Sequence, residues 1–291
     1  MEPSPKAEHV PVPRQVRSSD SSDTVRFVPT PCTRSLGLFA IGVIFAATVQ
    51  AGFIYPDFSS SSGLILGGAA TTAGNILRLT PDLTYQVGSA WYSAQQNVAQ
   101  GFSSSFTFQL TASGPIADGI WFVIQNDNLA DVSPVNGIPN SIAVEFDTFQ
   151  NVWDPNGNHV AFQSCGTNPN TTKHDTGCTL AINSVLPVTL ADGAIHSAIV
   201  TYTPGTLALT LDGIPTLSTT VDLNTLLNLN SGSAWAGFIT STGAFSENND
   251  IRNWSFASAT PEPSTVSTAL WGLLALCGVH TLQSKGRIIP S

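Results

Sequence analysis

The feature that most constrains this chain is a period-two alternation of apolar and polar residues, recurring across residues 52–260. Phe106, Phe108 and Leu110 alternate with polar residues in SSFTFQLTA. Leu207, Leu209 and Leu211 do so in TLALTLDG, and Trp254 and Phe256 in RNWSFAS. Side chains on an extended backbone point to opposite faces by turns, so each segment offers one face to a core and the other to water. Pro204-Gly205 and Asp212-Gly213 separate such segments with the turn signals of antiparallel hairpins. No helical period is sustained in this span, residues 222–229 being the one ambiguous stretch. The pattern predicts an all-β chain, an antiparallel β-sandwich in which two sheets pack face to face. A span of this length can fill one such core, and no internal repeat points to a propeller or β-helix.

Charge narrows the partners. Only 10% of the 291 residues are charged and the net charge is −9. Between residues 52 and 260 three basic residues, Arg78, Lys173 and Arg252, face fourteen acidic ones. Such a surface repels a phosphate backbone, which excludes nucleic acid and leaves cations or neutral ligands as partners.

The ends of the chain carry address signals. Residues 36–51, LGLFAIGVIFAATVQA, form an apolar run behind Arg26 and Arg34, with Val49 and Ala51 at signal-peptidase spacing. Residues 1–51 therefore read as leader and secretory signal peptide, cut after Ala51. A second apolar run, residues 264–282, is long enough to span a bilayer and is followed by Lys285 and Arg287. Pro261-Glu262-Pro263 stands directly before it. Together these features of residues 259–291 resemble the PEP-CTERM sorting signal of bacteria that secrete extracellular polysaccharide. That resemblance implies an exosortase-type processing enzyme as a partner, contact with the membrane through the C-terminal segment, and a secreted or cell-surface location. Cys32 and Cys277 fall in these end segments, leaving Cys165 and Cys178 as the one pair between them. In an exported chain that pair is expected to form a disulfide, contributing roughly 3 kcal/mol by chain entropy. A zinc site using both thiols and His174 is the alternative, and it would lack a fourth ligand.

The densest polar stretch is AVEFDTFQNVWDPNGNHV, residues 143–160. Sugar hydrolases of the laminarinase-like family, built on similar sandwiches, carry carboxylates on one strand face as E-x-D-x-E. Retaining hydrolysis needs two carboxyls about 5 Å apart. If AVEFDTF is a strand, Glu145, Asp147 and Phe149 share a face, and Phe149 stands where the second glutamate would be, so the general acid is missing. Glu145, Asp147, Asn151, Asp154 and His159 offer oxygens and one imidazole instead, which suits a calcium and a transition ion such as manganese. A solvated Asx-rich turn at DPNGN is the competing account.

The same stretch resembles the metal loop of the legume, or L-type, lectins, in which V-E-F-D-T-aromatic-x-N leads to D-P and then H-V. Three further segments resemble that family in order: FIYPDFSSSSGLILGGAA, ADGIWFVIQ at residues 117–125, and GFITSTGAFSENNDIRNWSF at residues 237–256. IPNSIAVEFDT and the CGT…C loop look like its bacterial secreted branch. The resemblance covers residues 52–258 and implies a concanavalin-like jelly roll. It implies a non-catalytic, metal-dependent carbohydrate-binding protein whose ligand is an extracellular polysaccharide or glycoconjugate, with homo-oligomers common in the family. Carried over by position, it implies a transition-ion (Mn2+-type) site from Glu145, Asp147, Asp154 and His159. It implies a Ca2+ site from Asp147, the Phe149 carbonyl, Asn151 and Asp154. Asp118, after a cis peptide from Ala117, would accept hydrogen bonds from sugar hydroxyls. Asn151 would donate to the sugar, Phe149 would stack on it, and residues 243–248, with Ala244 and Phe245, would form the selecting wall.

Two departures from the family pattern stand out. Only two residues separate Asn151 from Asp154, where plant members have about four, and Trp153 between them has no assigned role. The glycine-rich loop that offers a backbone N–H to the sugar is replaced by NDNLADVSPVNGIPNS, in which Gly137 is the one candidate donor. Two rival functions remain: a structural matrix or adhesion protein with a metal-stabilised sandwich and no sugar pocket, and a glucan hydrolase. Asp127, Asp131 and Glu247 read as solvated surface charges, and His174 and His196 have no evident partners.

Overall fold

The structure, a computed structural model, describes residues 52–130 and 137–259. The signal peptide, the PEP motif, the second apolar run and Asp131 lie outside them. Among the described residues no helix is long and apolar enough to cross a membrane.

The strands in chain order are β1 (Gly52–Tyr55), β2 (Leu64–Gly68), β3 (Thr71–Ala73), β4 (Ile76–Thr80), β5 (Val87–Tyr92), β6 (Gln96–Asn97), β7 (Phe102–Thr111) and β8 (Gly119–Gln125). They continue as β9 (Ser141–Asp147), β10 (His159–Gln163), β11 (Thr179–Asn183), β12 (Ile195–Thr203), β13 (Gly205–Leu211), β14 (Ile214–Val221), β15 (Ser233–Ser241) and β16 (Asn248–Ser258). One short helix, α1 (Leu223–Leu226), fills the stretch whose period was ambiguous. Asp222 caps it, its carboxylate accepting the Asn224 N–H.

Two antiparallel sheets result. One runs β14-β13-β12-β7-β16-β4-β3, with β1 on β16; the other runs β11-β10-β9-β8-β15-β5-β2, with β6 on β15. The alternating segments behave as expected. Phe106, Phe108 and Leu110 of β7, Leu207, Leu209 and Leu211 of β13, and Trp254 and Phe256 of β16 all point into the core between the sheets. There they meet Phe122, Phe146, Phe162 and Phe238 of the second sheet, with Phe106 edge-on to Phe238 at 4.9 Å between centroids. Asp212-Gly213 turns β13 into β14 with both residues at positive φ, 49° and 77°, the geometry that matches the twist of a tight hairpin. Arg78 of β4 clamps Asp250 of β16 with two bonds of 2.7 Å.

The second sheet has a further apolar cluster on its outer face. Trp91, Trp121, Val123, Ala143 and Ile239 lie there under Ile138. β8, β9 and β10 are therefore buried along their whole lengths. This outer face is where the polar stretch of the sequence arrives.

Candidate functional site

Sheet register assembles the site. Across β9, Glu145 lies opposite Trp121 and Ala161, and Asp147 lies opposite Gly119 and His159. The two-residue period then sets Trp121, Glu145, Asp147, His159 and Gln163 on the outer face, while Phe122, Val144, Phe146, Val160 and Phe162 occupy the main core. Two groups result, Glu145 with His159 and His174, and Asp147 with Asp154 and His159. In each, the donor atoms lie within 4.8 Å of one another.

β9 ends at Asp147, which corrects the expectation that Phe149 continues its face. Asp147 Oδ1 accepts the Phe149 N–H at 2.7 Å and turns the chain out of the sheet. Asp154 closes the next loop: Oδ2 accepts the Asn151 N–H at 2.6 Å, and its own N–H donates to the Asn151 carbonyl at 3.1 Å. Those two bonds are how a loop shorter than the plant pattern still brings Asp154 back to Asp147. The Phe149 ring packs on Phe245, centroids 5.6 Å apart, with Phe245 40% exposed and Ala244 exposed beside it.

The Ala117–Asp118 peptide is cis, as the resemblance implied. Glu247 fixes the backbone on both sides of the site: Oε1 accepts the Gly119 N–H at 2.7 Å and the Thr148 hydroxyl at 2.9 Å. Reading Glu247 as a solvated surface charge is thereby corrected, because the residue is fully buried, at 0% exposure. Asp127 is exposed as expected. A cavity of about 230 Å³ opens beside Asp118, lined also by Glu145, Asp147, Asn151, Trp153 and Lys173. The Lys173 ammonium lies 5.0 Å from the Trp153 ring centroid, which gives Trp153 a place in the wall. Gly137 is not among the residues lining this cavity. It packs so tightly on the Asn170 carbonyl that a Cβ would fall 2.0 Å from that oxygen.

The disulfide forms between Cys165 and Cys178. The loop it closes carries His174 into the site, which corrects the expectation that this histidine has no partners. His174 Nε2 lies 3.2 Å from Glu145 Oε2, 3.6 Å from Asp154 Oδ1 and 2.9 Å from His159 Nε2. His196 also has partners, Asp212 through Nδ1 at 2.7 Å and Asp192 through Nε2 at 3.1 Å, near the start of β12 in the opposite sheet.

Electrostatics mark the outer face as a seat for positive charge. Burial pushes Asp147 up to about 9, aided by Glu145, Asp154 and Asp118 against the Phe149 N–H bond. Burial, together with the charge of Asp154, pushes Asp118 up to about 6 against a bond from the Gly243 backbone. Glu247 is pushed up to about 7 by burial, against its bonds from Thr148 and Gly119. His159 is lowered by burial. At His174 burial also lowers, but the bond to Glu145 and the charges of Glu145, Asp154 and Asp175 outweigh it and the net shift is upward.

The donors fit a divalent cation. Asp154 Oδ1 is buried with no hydrogen-bond donor on it. The His159 Nδ1 lies 2.9 Å from the Asn156 carbonyl, to which only Nδ1–H can donate, so the neutral ring turns its Nε2 lone pair toward the carboxylates. An acceptor without a donor and an imidazole lone pair aimed at two carboxylates are what a bound cation would satisfy.

Residues 50–271 match the legume lectin domain family, and the chain belongs to that family. Lectin DB58 of Vigna unguiculata subsp. cylindrica is 29% identical over 271 residues, covering 79% of this chain and 91% of the relative. Among solved structures, a Bauhinia forficata lectin in complex with GalNAc superposes with a TM-score of 0.61 at 23% identity, covering 73% of this chain and 100% of that one. The exoplasmic/lumenal domain of VIP36, in a Ca2+/Man3GlcNAc-bound form, does so with a TM-score of 0.57 at 20% identity, covering 70% and 89%. Both likenesses are of fold.

Proposed function

We propose that this chain is an exported, non-catalytic carbohydrate-binding protein in which divalent cations shape the sugar site. One observation carries the reading: the register of β8, β9 and β10 gathers Glu145, Asp147 and His159 on one buried face, and the loop after β9 returns Asp154 to them alongside the cavity that Asp118 lines. Glu145, Asp147, Asp154 and His159 would hold a transition ion. Asp147, Asn151, Asp154 and the Phe149 carbonyl would hold calcium. When bound, the cations would neutralise the clustered carboxylates and hold the Asn151–Asp154 loop against the sheet.

The chain's own residues do the recognition. Asp118 presents acceptor oxygens to sugar hydroxyls, Asn151 donates its amide, and the Phe149–Phe245 pair offers an aromatic surface to a pyranose. The Bauhinia lectin carries GalNAc and the VIP36 domain carries calcium with a mannose glycan, which supports saccharide and calcium as ligand classes here. A disulfide in the site loop supports export, since such bonds persist in oxidising compartments. We assign the chain to a bacterial surface or secretion, with processing at residues 259–291 and an extracellular polysaccharide or glycoconjugate as target. The position where the E-x-D-x-E pattern of glycoside hydrolases carries its second glutamate is held by Phe149, which has left the sheet at the end of β9.

A glycan array run with added calcium and manganese should give signal that EDTA abolishes. Asp118→Ala should abolish it too, while leaving the circular dichroism spectrum unchanged; binding by that variant at parental strength would refute the sugar assignment. A second reading, a metal-stabilised matrix protein without a sugar pocket, draws on the position of Gly137, which packs on the Asn170 carbonyl and is not among the residues lining the cavity beside Asp118. Under it, EDTA lowers the melting temperature and no glycan gives signal.

A further inference from the structure

The donor set contains one imidazole more than the proposed transition-ion site requires. We infer that His174, delivered by the Cys165–Cys178 loop, is a direct ligand of the transition-ion seat, and that it makes the seat selective for zinc-class ions over manganese. The inference rests on the proposed cation site and specifies which ion the seat takes.

Geometry brings the atoms together. His174 Nε2 lies 2.9 Å from His159 Nε2, 3.2 Å from Glu145 Oε2 and 3.6 Å from Asp154 Oδ1, and His159 Nε2 lies 3.9 Å from Glu145 Oε2. Ligands about 2.0–2.1 Å from a tetrahedral zinc stand about 3.3–3.4 Å apart, inside the range of these distances. Asp154 Oδ1, buried and without a hydrogen-bond donor, is the independent sign of a missing cation.

The surroundings of His174 hold the ring as ligands are held. Its Nδ1 lies 3.1 Å from Thr179 Oγ1, and the Thr179 hydroxyl donates to Gln163 Oε1 at 3.0 Å. The hydroxyl proton is thus committed, so Thr179 can accept from Nδ1–H once a cation takes the Nε2 lone pair; without a cation, Nε2 donates to Glu145 Oε2. Gln163 Nε2, 3.0 Å from the same Nδ1, donates to Glu145 Oε2 at 3.4 Å, and the Trp121 indole donates to Glu145 Oε1 at 3.1 Å. A ligating histidine that donates its other ring N–H, beside a carboxylate that is itself hydrogen-bonded, is the usual outer arrangement of a metal site. The loop is fixed at its other end as well. Ser164 N–H donates to the Cys178 carbonyl at 2.8 Å, and the buried Asn170 amide donates to the Gln163 carbonyl at 2.9 Å.

Ligand chemistry then sets the preference. Oxygen-rich seats suit manganese, whereas imidazole suits zinc, copper and nickel, and zinc exceeds manganese in intrinsic affinity for nitrogen and oxygen sites. Two imidazoles with two carboxylates fall on the zinc side.

The test uses the full chain stripped of metal, reloaded in calcium, and titrated with zinc and with manganese against chromophoric chelators, with bound metal counted by mass spectrometry. Wild type should prefer zinc by at least tenfold. In His174→Ala the ratio of zinc to manganese affinity should fall at least tenfold, and in His174→Gln it should fall as well. Cobalt-loaded wild type should show visible bands that change in both variants. Mild reduction, which frees the loop with His174 intact, should lower the same ratio. An unchanged ratio in both variants, with cations still bound, overturns the inference and leaves the cation site standing. A wild-type chain that takes up no divalent ion overturns both.

Discussion

Glu247 shows how far one side chain reaches into the site. Its partners Gly119 and Thr148 lie next to Asp118 and Asp147 in the chain, so a single carboxylate oxygen ties the start of β8 to the end of β9. Glu247→Ala leaves the buried Gly119 N–H without an acceptor, at about 1–3 kcal/mol, and the half-buried Thr148 hydroxyl at less. Urea unfolding should show that loss, and sugar affinity should fall with it because the backbone beside Asp118 is released. Glu247→Gln keeps an amide oxygen where Oε1 stood and should be the milder change. Equal stability of the alanine variant and the parent would mean these bonds carry no weight. Nothing local in SENND announces this role, since the partners lie 128 and 99 residues away along the chain. His174 was invisible for a similar reason: its environment is assembled by a disulfide and by β9 and β10, not by its neighbours in TTKHDTG. Asp147, Asp154 and His159 were legible because the donors of one hairpin lie close in sequence.

At the scale of elements, legibility followed burial. β7, β13 and β16 alternate because one face meets the core and the other is partly solvated, and their core residues could be read directly. β8, β9 and β10 are covered on both faces, so alternation fades and only the motif resemblance pointed to them. The end of β9 departs from the strand pattern because side-chain chemistry, the Asp147 bond to Phe149 N–H, overrides it there. The Cys165–Cys178 loop was legible as a covalent unit though not as a wall of the site. Its bridge spans 13 residues, and its loss should cost about 3 kcal/mol of unfolding free energy on the loop-closure account. Chemical denaturation of the doubly substituted Cys165→Ser, Cys178→Ser chain against the oxidised parent measures this; a midpoint within error of the parent would show that the bridge positions the loop without stabilising the fold.

At the scale of the whole molecule, the proposed cation site predicts that the acidic face makes stability depend on pH and on cations together. Asp118, Asp147 and Glu247 hold their protons up to about 6, 9 and 7 when folded, against ordinary values of 3.8, 3.8 and 4.5. Between those limits the folded chain keeps protons that the unfolded chain has lost, so raising the pH favours unfolding. His174, raised when folded, acts in the same direction above its ordinary value of 6.5, while His159, lowered by burial, opposes it below 6.5. Carboxyls held low, such as Asp82 and Asp212, act only below about 4 and leave the window untouched. In EDTA the melting temperature should therefore fall as pH rises from 5 to 9. A divalent cation reverses the preference, because it favours the ionised carboxylates and must displace their protons to bind. Calcium plus zinc should raise the melting temperature little at pH 5 and progressively more toward pH 9, so that the two curves diverge in the basic direction. Scanning calorimetry at four pH values with and without the ions reads this directly. Parallel curves would mean that the raised carboxyls and the bound cations do not share one seat, and the coupling between metal and sugar site would lose its physical basis.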